Sequence, residues 1–99
     1  MSTDNDTVVM TTTALKRPTN WAIVLHNDDV TPMDFVVELL LHTFKMDYQQ
    51  AAALMLTVHS LGKGVAGIFS YEIAEQKMAE AQTHIKLSKQ QLKLTLEEE

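Results

Sequence analysis

The sequence has no cysteine, few basic residues and no long uninterrupted apolar run, and each absence removes a class of function. Without cysteine there is no disulfide scaffold, no thiolate zinc site and no thiol nucleophile; the redox compartment stays open, with cytosol compatible. Lys and Arg number 8 against 13 Asp and Glu, for a formal net charge of -5. Phosphate backbones need clustered cations, so this balance argues against nucleic acid as a partner. The longest apolar stretch, Phe35 to Leu41, is broken by Glu38 and is too short to span a bilayer, so no membrane partner is expected. Residues 1–10 are polar and lack the apolar centre of a signal peptide, which predicts a cytoplasmic protein.

Metal and nucleophile chemistry also lack their usual signatures. His26, His42, His59 and His84 form no HxxxH or HxH pair, so neither a metal nor another cofactor is expected. A metal-dependent hydrolase built on His26, Asp28 and His59 is the enzyme alternative, and it would need those three residues to meet only through folding. Ser60, Ser70 and Ser88 stand in no nucleophile elbow, so no catalytic residue is assigned.

What the chain does contain is enough for one small domain: 99 residues, 45% apolar and 21% charged. Residues 1–20 are rich in Thr, Asp and Asn without periodicity, and read as a flexible arm. The core domain is expected over residues 21–97. From Trp21 the residues Ile23 and Leu25 alternate with Ala22 and Val24, a strand covered on both faces. Thr31 as N-cap, Pro32 at the first helical position and Asp34 as a capping-box acid predict a helix from Pro32 to about Phe44, with Met33, Val36, Val37, Leu40 and Phe44 enclosed. Asp47 with Gln50 predicts a second helix, running from Tyr48 to Leu61 and closed by Gly62. Gly62, Lys63 and Gly64 read as a turn and Val65 to Phe69 as a second strand. Ser70 caps a third helix, with Ala74, Met78, Ala81 and Ile85 inward and Glu72, Glu75, Lys77 and Glu80 toward water. Leu92, Leu94 and Leu96 mark a third strand. The order β-α-α-β-α-β implies an α+β fold, with a small three-stranded antiparallel sheet packed against three helices.

The chemistry concentrates at Asn27, Asp28 and Asp29, which sit on a short turn directly before the first helix. Two carboxylates and an amide on such a turn suit a compact cation, but the same residues would also serve as a solvated loop ordered by Asx-type hydrogen bonds. Met55, Val58 and His59 share one side of the second helix and could face the same space as Met33 and Val36, or be plain core. Spacing alone leaves both readings open.

Together these segments resemble the ClpS adaptor family. Asn27-Asp28-Asp29 followed by Thr31-Pro32-Met33-Asp34-Phe35-Val36 is similar to the family's NDD-x-TPMxFV signature, and Leu54-Met55-Leu56-Thr57-Val58-His59 to its LMLxVH helix. Gly62-Lys63, Gly67-Ile68-Phe69, Glu72 to Lys77 and Thr95-Leu96-Glu97 continue the likeness in order, from about Trp21 to Glu97.

The resemblance implies an adaptor, not an enzyme, that binds proteins and peptides bearing an N-degron: a free N-terminal Phe, Tyr, Trp or Leu. It would pass them to the N-terminal domain of a ClpA-type unfoldase for degradation by the ClpAP protease. Asn27, Asp28 and His59 would hold the α-amino group. Asp29 and Thr31 would help form the wall, and Met33, Val36, Met55, Val58 and Leu92 would line the space for the first side chain, with Met33 as a gate against β-branched residues. Glu72 and Lys77 would dock on the unfoldase, which overturns their bland reading as a solvated face, and the arm would enter its pore. A monomer is expected. Two places depart from the family pattern: Val30, where many members carry an aromatic, and Leu92-Lys93-Leu94. Neither is expected to touch the amine directly. A second reading keeps the fold without the N-degron site, as an interaction module resembling the ribosomal stalk protein's C-terminal domain.

Overall fold

The computed structural model describes residues 20–99; the expected arm lies outside the described residues apart from Asn20. The elements follow in the order β1 (Trp21–His26), α1 (Met33–His42), α2 (Tyr48–Leu61), β2 (Lys63–Phe69), α3 (Tyr71–Leu87) and β3 (Lys93–Glu98). This is the α+β arrangement that the sequence implies, with β1 central in a three-stranded antiparallel sheet of order β2-β1-β3. No helix of the described residues is long and apolar enough to cross a membrane.

Position in the sheet explains the composition of β1. It is flanked on both sides, and its residues Ala22, Ile23, Val24 and Leu25 are all buried. Its register with β2 shifts between Ile23 and Val24, where Gly67 and Val65 are the successive partners and Ala66 bulges between them. Ile23 and Leu25 join Leu39 and Leu40 as the largest fully buried side chains. Helix α3 approaches the sheet through Ala74 and Ala81, whose small side chains permit close packing. The stacked rings of Phe35 and His84, 5.5 Å apart, join α1 to α3. Trp21 meets Tyr71 edge-on at 5.1 Å, fixing the start of α3 against the start of β1.

Helix α2 forms as its sequence predicts. Asp47 accepts a 2.8 Å bond from the Gln50 N–H while the Asp47 N–H donates to the Gln50 side chain, and Gly62 ends the helix at a φ of 94°.

Helix α1 departs from its prediction. It begins at Met33 with Pro32 as N-cap and no side-chain cap, and it ends at His42, short of Phe44. Thr31 does not cap it because its hydroxyl donates to Asp28 instead, and Asp34 is exposed without a capping role. The buried stripe is also rotated: Phe35, Val36, Leu39 and Leu40 are buried, whereas Met33 is 44% exposed. Seven apolar residues among nine leave the helical phase undetermined from sequence, and packing against the rest of the fold chooses it.

Other boundaries shift as well. The expected turn at Lys63 and Gly64 belongs to β2, and β3 starts after Leu92. Ser70 is the N-cap of α3 through its backbone carbonyl, which accepts from the Ala74 N–H at 2.8 Å, while its hydroxyl makes no cap bond. Replacing Asp47 with Ala removes one partner of the reciprocal cap; we expect a loss of about 1 kcal/mol and a Tm lower by roughly 4–8 °C, read by thermal denaturation.

Candidate functional site

The turn after β1 is fastened at both ends. The Asn27 N–H donates to the Gly62 carbonyl at 2.9 Å, which ties the end of β1 to the C-terminal end of α2, three residues past His59. Asp28 closes the turn internally. Its Oδ1 accepts from the Val30 N–H at 2.8 Å and the Thr31 N–H at 2.7 Å, and its Oδ2 accepts from the Thr31 hydroxyl at 2.7 Å.

A carboxylate offers about four lone-pair sites, so these bonds leave one acceptor position, on Oδ2. Burial alone would push the Asp28 carboxyl up, but the Thr31 hydroxyl and the Thr31 and Val30 N–H groups together hold it below its ordinary value of 3.8. Asp28 is therefore ionised at neutral pH. The stability linked to it is fully present above the ordinary value and is lost as pH falls through the lowered one.

Behind this turn lies a cavity of about 340 Å³, near the lower end of the roughly 300–1,000 Å³ typical of ligand sites. Every expected ligand-binding residue borders it: Asn27, Asp28, Asp29 and His59 with Thr31, and the apolar Met33, Val36, Met55, Val58 and Leu92. Val36, Val58 and Leu92 are buried, Met55 is half-buried, and His59 is exposed. The cavity is thus apolar inside and polar at its rim. Gly64 helps set its depth: a methyl group there would come 2.8 Å from Leu54 Cδ1 and 3.0 Å from Val58 Cγ2, so glycine lets β2 pass close beneath α2.

Val30 and Pro32 also border the cavity and were not among the expected site residues. The Val30 N–H is itself one of the donors that order Asp28, so the Asx-type turn was the signal that could have placed it. The Asx-turn and pocket readings of this segment are both realised, because one carboxylate orders the turn and faces the cavity.

His26 does not border the cavity. Its Nε2 lies 2.8 Å from Thr95 Oγ1, so the three residues of the hydrolase alternative are not brought together.

Glu72 and Lys77 are placed differently from one another. Glu72 is exposed in the first turn of α3. Lys77 does not face water as expected: it is half-buried, and its Nζ donates to the Thr43 carbonyl at 3.0 Å, binding the C-terminal end of α1 where a cation is favoured. Five residues apart, the two side chains stand about 140° apart around the helix.

A family model described as ATP-dependent Clp protease adaptor protein ClpS matches residues 16–95. The chain belongs to the ClpS family. The ClpS adapter of Shewanella pealeana is 45% identical over 84 residues, covering 85% of this chain and 82% of that relative. That of Vibrio cholerae is 41% identical over 98 residues, covering 99% and 92%. Among solved structures, ClpS2 of Agrobacterium tumefaciens bound to L-phenylalaninamide superimposes with a TM-score of 0.78 at 35% identity, covering 84% of this chain and all of that one (100%). The family assignment makes the chain an adaptor of the Clp protease and matches the fold described above.

Substituting Thr31 with Val deletes the hydroxyl donor to Asp28 while keeping the side chain's shape. The Asp28 pKa is then expected to move upward toward its ordinary value, as read from the carboxyl carbon shift in an NMR titration; an unmoved pKa would mean that the hydroxyl does not hold the carboxylate.

Proposed function

We propose that this chain is a non-enzymatic adaptor that binds polypeptides with a free N-terminal Phe, Tyr, Trp or Leu and hands them to the ClpA-type unfoldase of the ClpAP protease. The observation that carries the reading is one cavity with Asn27, Asp28 and His59 at its rim and Met33, Val36, Met55, Val58 and Leu92 within. The bound phenylalaninamide of the Agrobacterium relative supports it, being an aromatic side chain beside a free amine.

The chemistry divides along the same line. An α-amino group with a pKa of about 8 is mostly cationic at neutral pH and needs acceptors in a negative field. The open position on Asp28 Oδ2, the Asn27 side-chain oxygen and a neutral His59 ring nitrogen are the three acceptors offered, and charge-assisted bonds are the strong kind. Enclosing the first side chain among Val36, Val58 and Leu92 adds roughly 1.5–3 kcal/mol. Each half is modest, so the pair selects a ligand that satisfies both. This polar cluster beside an apolar cavity distinguishes the reading from an interaction module that has only the fold.

Outside the cavity lining, Glu72 is the freely exposed member of the proposed unfoldase contact, with Lys77 contributing through the part of its side chain not committed to Thr43. The adaptor works as a cytoplasmic monomer in this reading.

Titration with peptides beginning in Phe, acetyl-Phe, Val or Arg tests the site. Free Phe is expected to bind best, with acetylation or Asp28→Ala lowering affinity about 10- to 100-fold through loss of a charge-assisted bond. Equal affinity for acetyl-Phe overturns amine recognition. Affinity is also expected to fall as pH rises above the amine's pKa of about 8, approaching tenfold per unit, because only the protonated amine is held. In a reconstituted degradation assay, Glu72→Ala should impair delivery and leave peptide affinity unchanged.

A further inference from the structure

The helices pack on one face of the sheet and leave the other to a short pattern of its own. Ile23 and Leu25 join the core cluster with the helices, whereas Ala22 and Val24, which alternate with them along β1, are buried but stand outside that cluster. Cross-strand partners share a face, so the register defines three rows there. Ala22 lies between Ile68 of β2 and Glu97 of β3, and Val24 lies between Val65 and Thr95. His26 lies between Lys63 and Lys93. Ile68 and Val65 are each 48% exposed, and Glu97, Lys63 and Lys93 are exposed as well. The Thr95 hydroxyl donates to Glu97 Oε2 at 2.9 Å, which makes His26 Nε2, 2.8 Å away, the donor to Thr95. That chain of bonds holds the Glu97 carboxylate over the face.

We propose that this face is a contact between two copies of the chain, stacked sheet on sheet about a twofold axis that crosses the strands at the Val24 row. Charge complementarity selects both the occupant and the orientation. A twofold contact must be complementary to itself, and here an apolar middle separates an anion, Glu97, from a cation, Lys93, at opposite ends of the same strand. Turning one copy about an axis across the strands lays Lys93 over Glu97 of the second copy and Glu97 over its Lys93, while Val24 and Val65 meet their own counterparts. Lys63 then lies over Ile68 of the second copy, where its methylene stem covers apolar surface and its charged end reaches water. A twofold axis along the strands would instead set Lys63 over Lys93 of the second copy, which repels. The stacking is the aligned packing of two sheets. The three rows span only about 10 Å across the strands and about 13 Å along them, well under the roughly 1,000 Å² of a stable interface, so the contact is weak and the monomer prevails when dilute. None of these residues borders the cavity behind the Asp28 turn, so the dimer leaves that site open.

Sedimentation equilibrium of the full chain, over a concentration series reaching the millimolar range, tests the contact. The average mass of the wild type should rise from monomer toward dimer. Lys93→Glu and Glu97→Lys should each weaken association by about tenfold or more, because each sets like charges against one another in both copies of the pair. The double variant Lys93→Glu/Glu97→Lys exchanges the two charges and should recover association close to that of the wild type, which also shows that the single variants did not weaken it by misfolding. A wild type that stays monomeric at every concentration overturns the proposal and leaves the face to another occupant. Single variants that associate like the wild type, or a double variant as weak as the singles, overturn it too.

Discussion

A single carboxylate, held by three short hydrogen bonds at the lip of an apolar cavity, is the constraint that gives the site its character. The Val30 and Thr31 donors saturate one oxygen of Asp28 and half of the other, so the group cannot rotate to meet a ligand and does not need to. A fixed charge beside a low-dielectric interior acts on a cation more strongly than a mobile surface acid, because orientation and part of the desolvation are settled before the ligand arrives. The same bonds keep the group ionised, so the field at the rim is a standing property of the fold.

That turn exists only because distant segments hold it. The bond from Asn27 to Gly62 places the end of β1 beside the end of α2, and the left-handed glycine ends α2 where its own carbonyl meets the turn. Helix α1 then supplies the opposite wall with Met33 and Val36, while its far end is bound by Lys77 from α3. The cavity is therefore assembled from the turn after β1, α1, α2 and the residue preceding β3, and no local segment could form it alone. Gly64 contributes by what it lacks, since a side chain there would crowd Leu54 and Val58 on the facing side of α2.

Sequence was most informative where a local rule leaves one solution. The Asp47 and Gln50 box, Gly62 and the doubly apolar β1 each point to one structure, and all three are found. It was least informative at α1, where the run from Phe35 to Leu41 contains more apolar residues than a helix can bury on one face; the phase is set by tertiary packing, in which Phe35 stacks on His84 of α3, and Phe35 and Leu39 replace Met33 and Val37 in the core. Thr31 shows why a cap signature can mislead: its hydroxyl had two acceptable uses, and the nearby carboxylate took it. Lys77 resembled any exposed lysine because its acceptor, the Thr43 carbonyl, is 34 residues away and invisible to spacing. The residues bordering the cavity were legible as a set because the family resemblance joined segments that periodicity could only describe one at a time.

The edges of the sheet also bear on the proposed function of receiving extended polypeptides. With β1 in the middle, β2 and β3 are both outermost among the described strands, and outer strands carry backbone groups that a foreign segment could use to add itself to the sheet. The bulge at Ala66 interrupts the regular spacing of one, and the exposed carboxylates of Glu97, Glu98 and Glu99 crowd the end of the other. Both features discourage strand capture, and under the proposed function a polypeptide held only by its terminus would stay free to be pulled away.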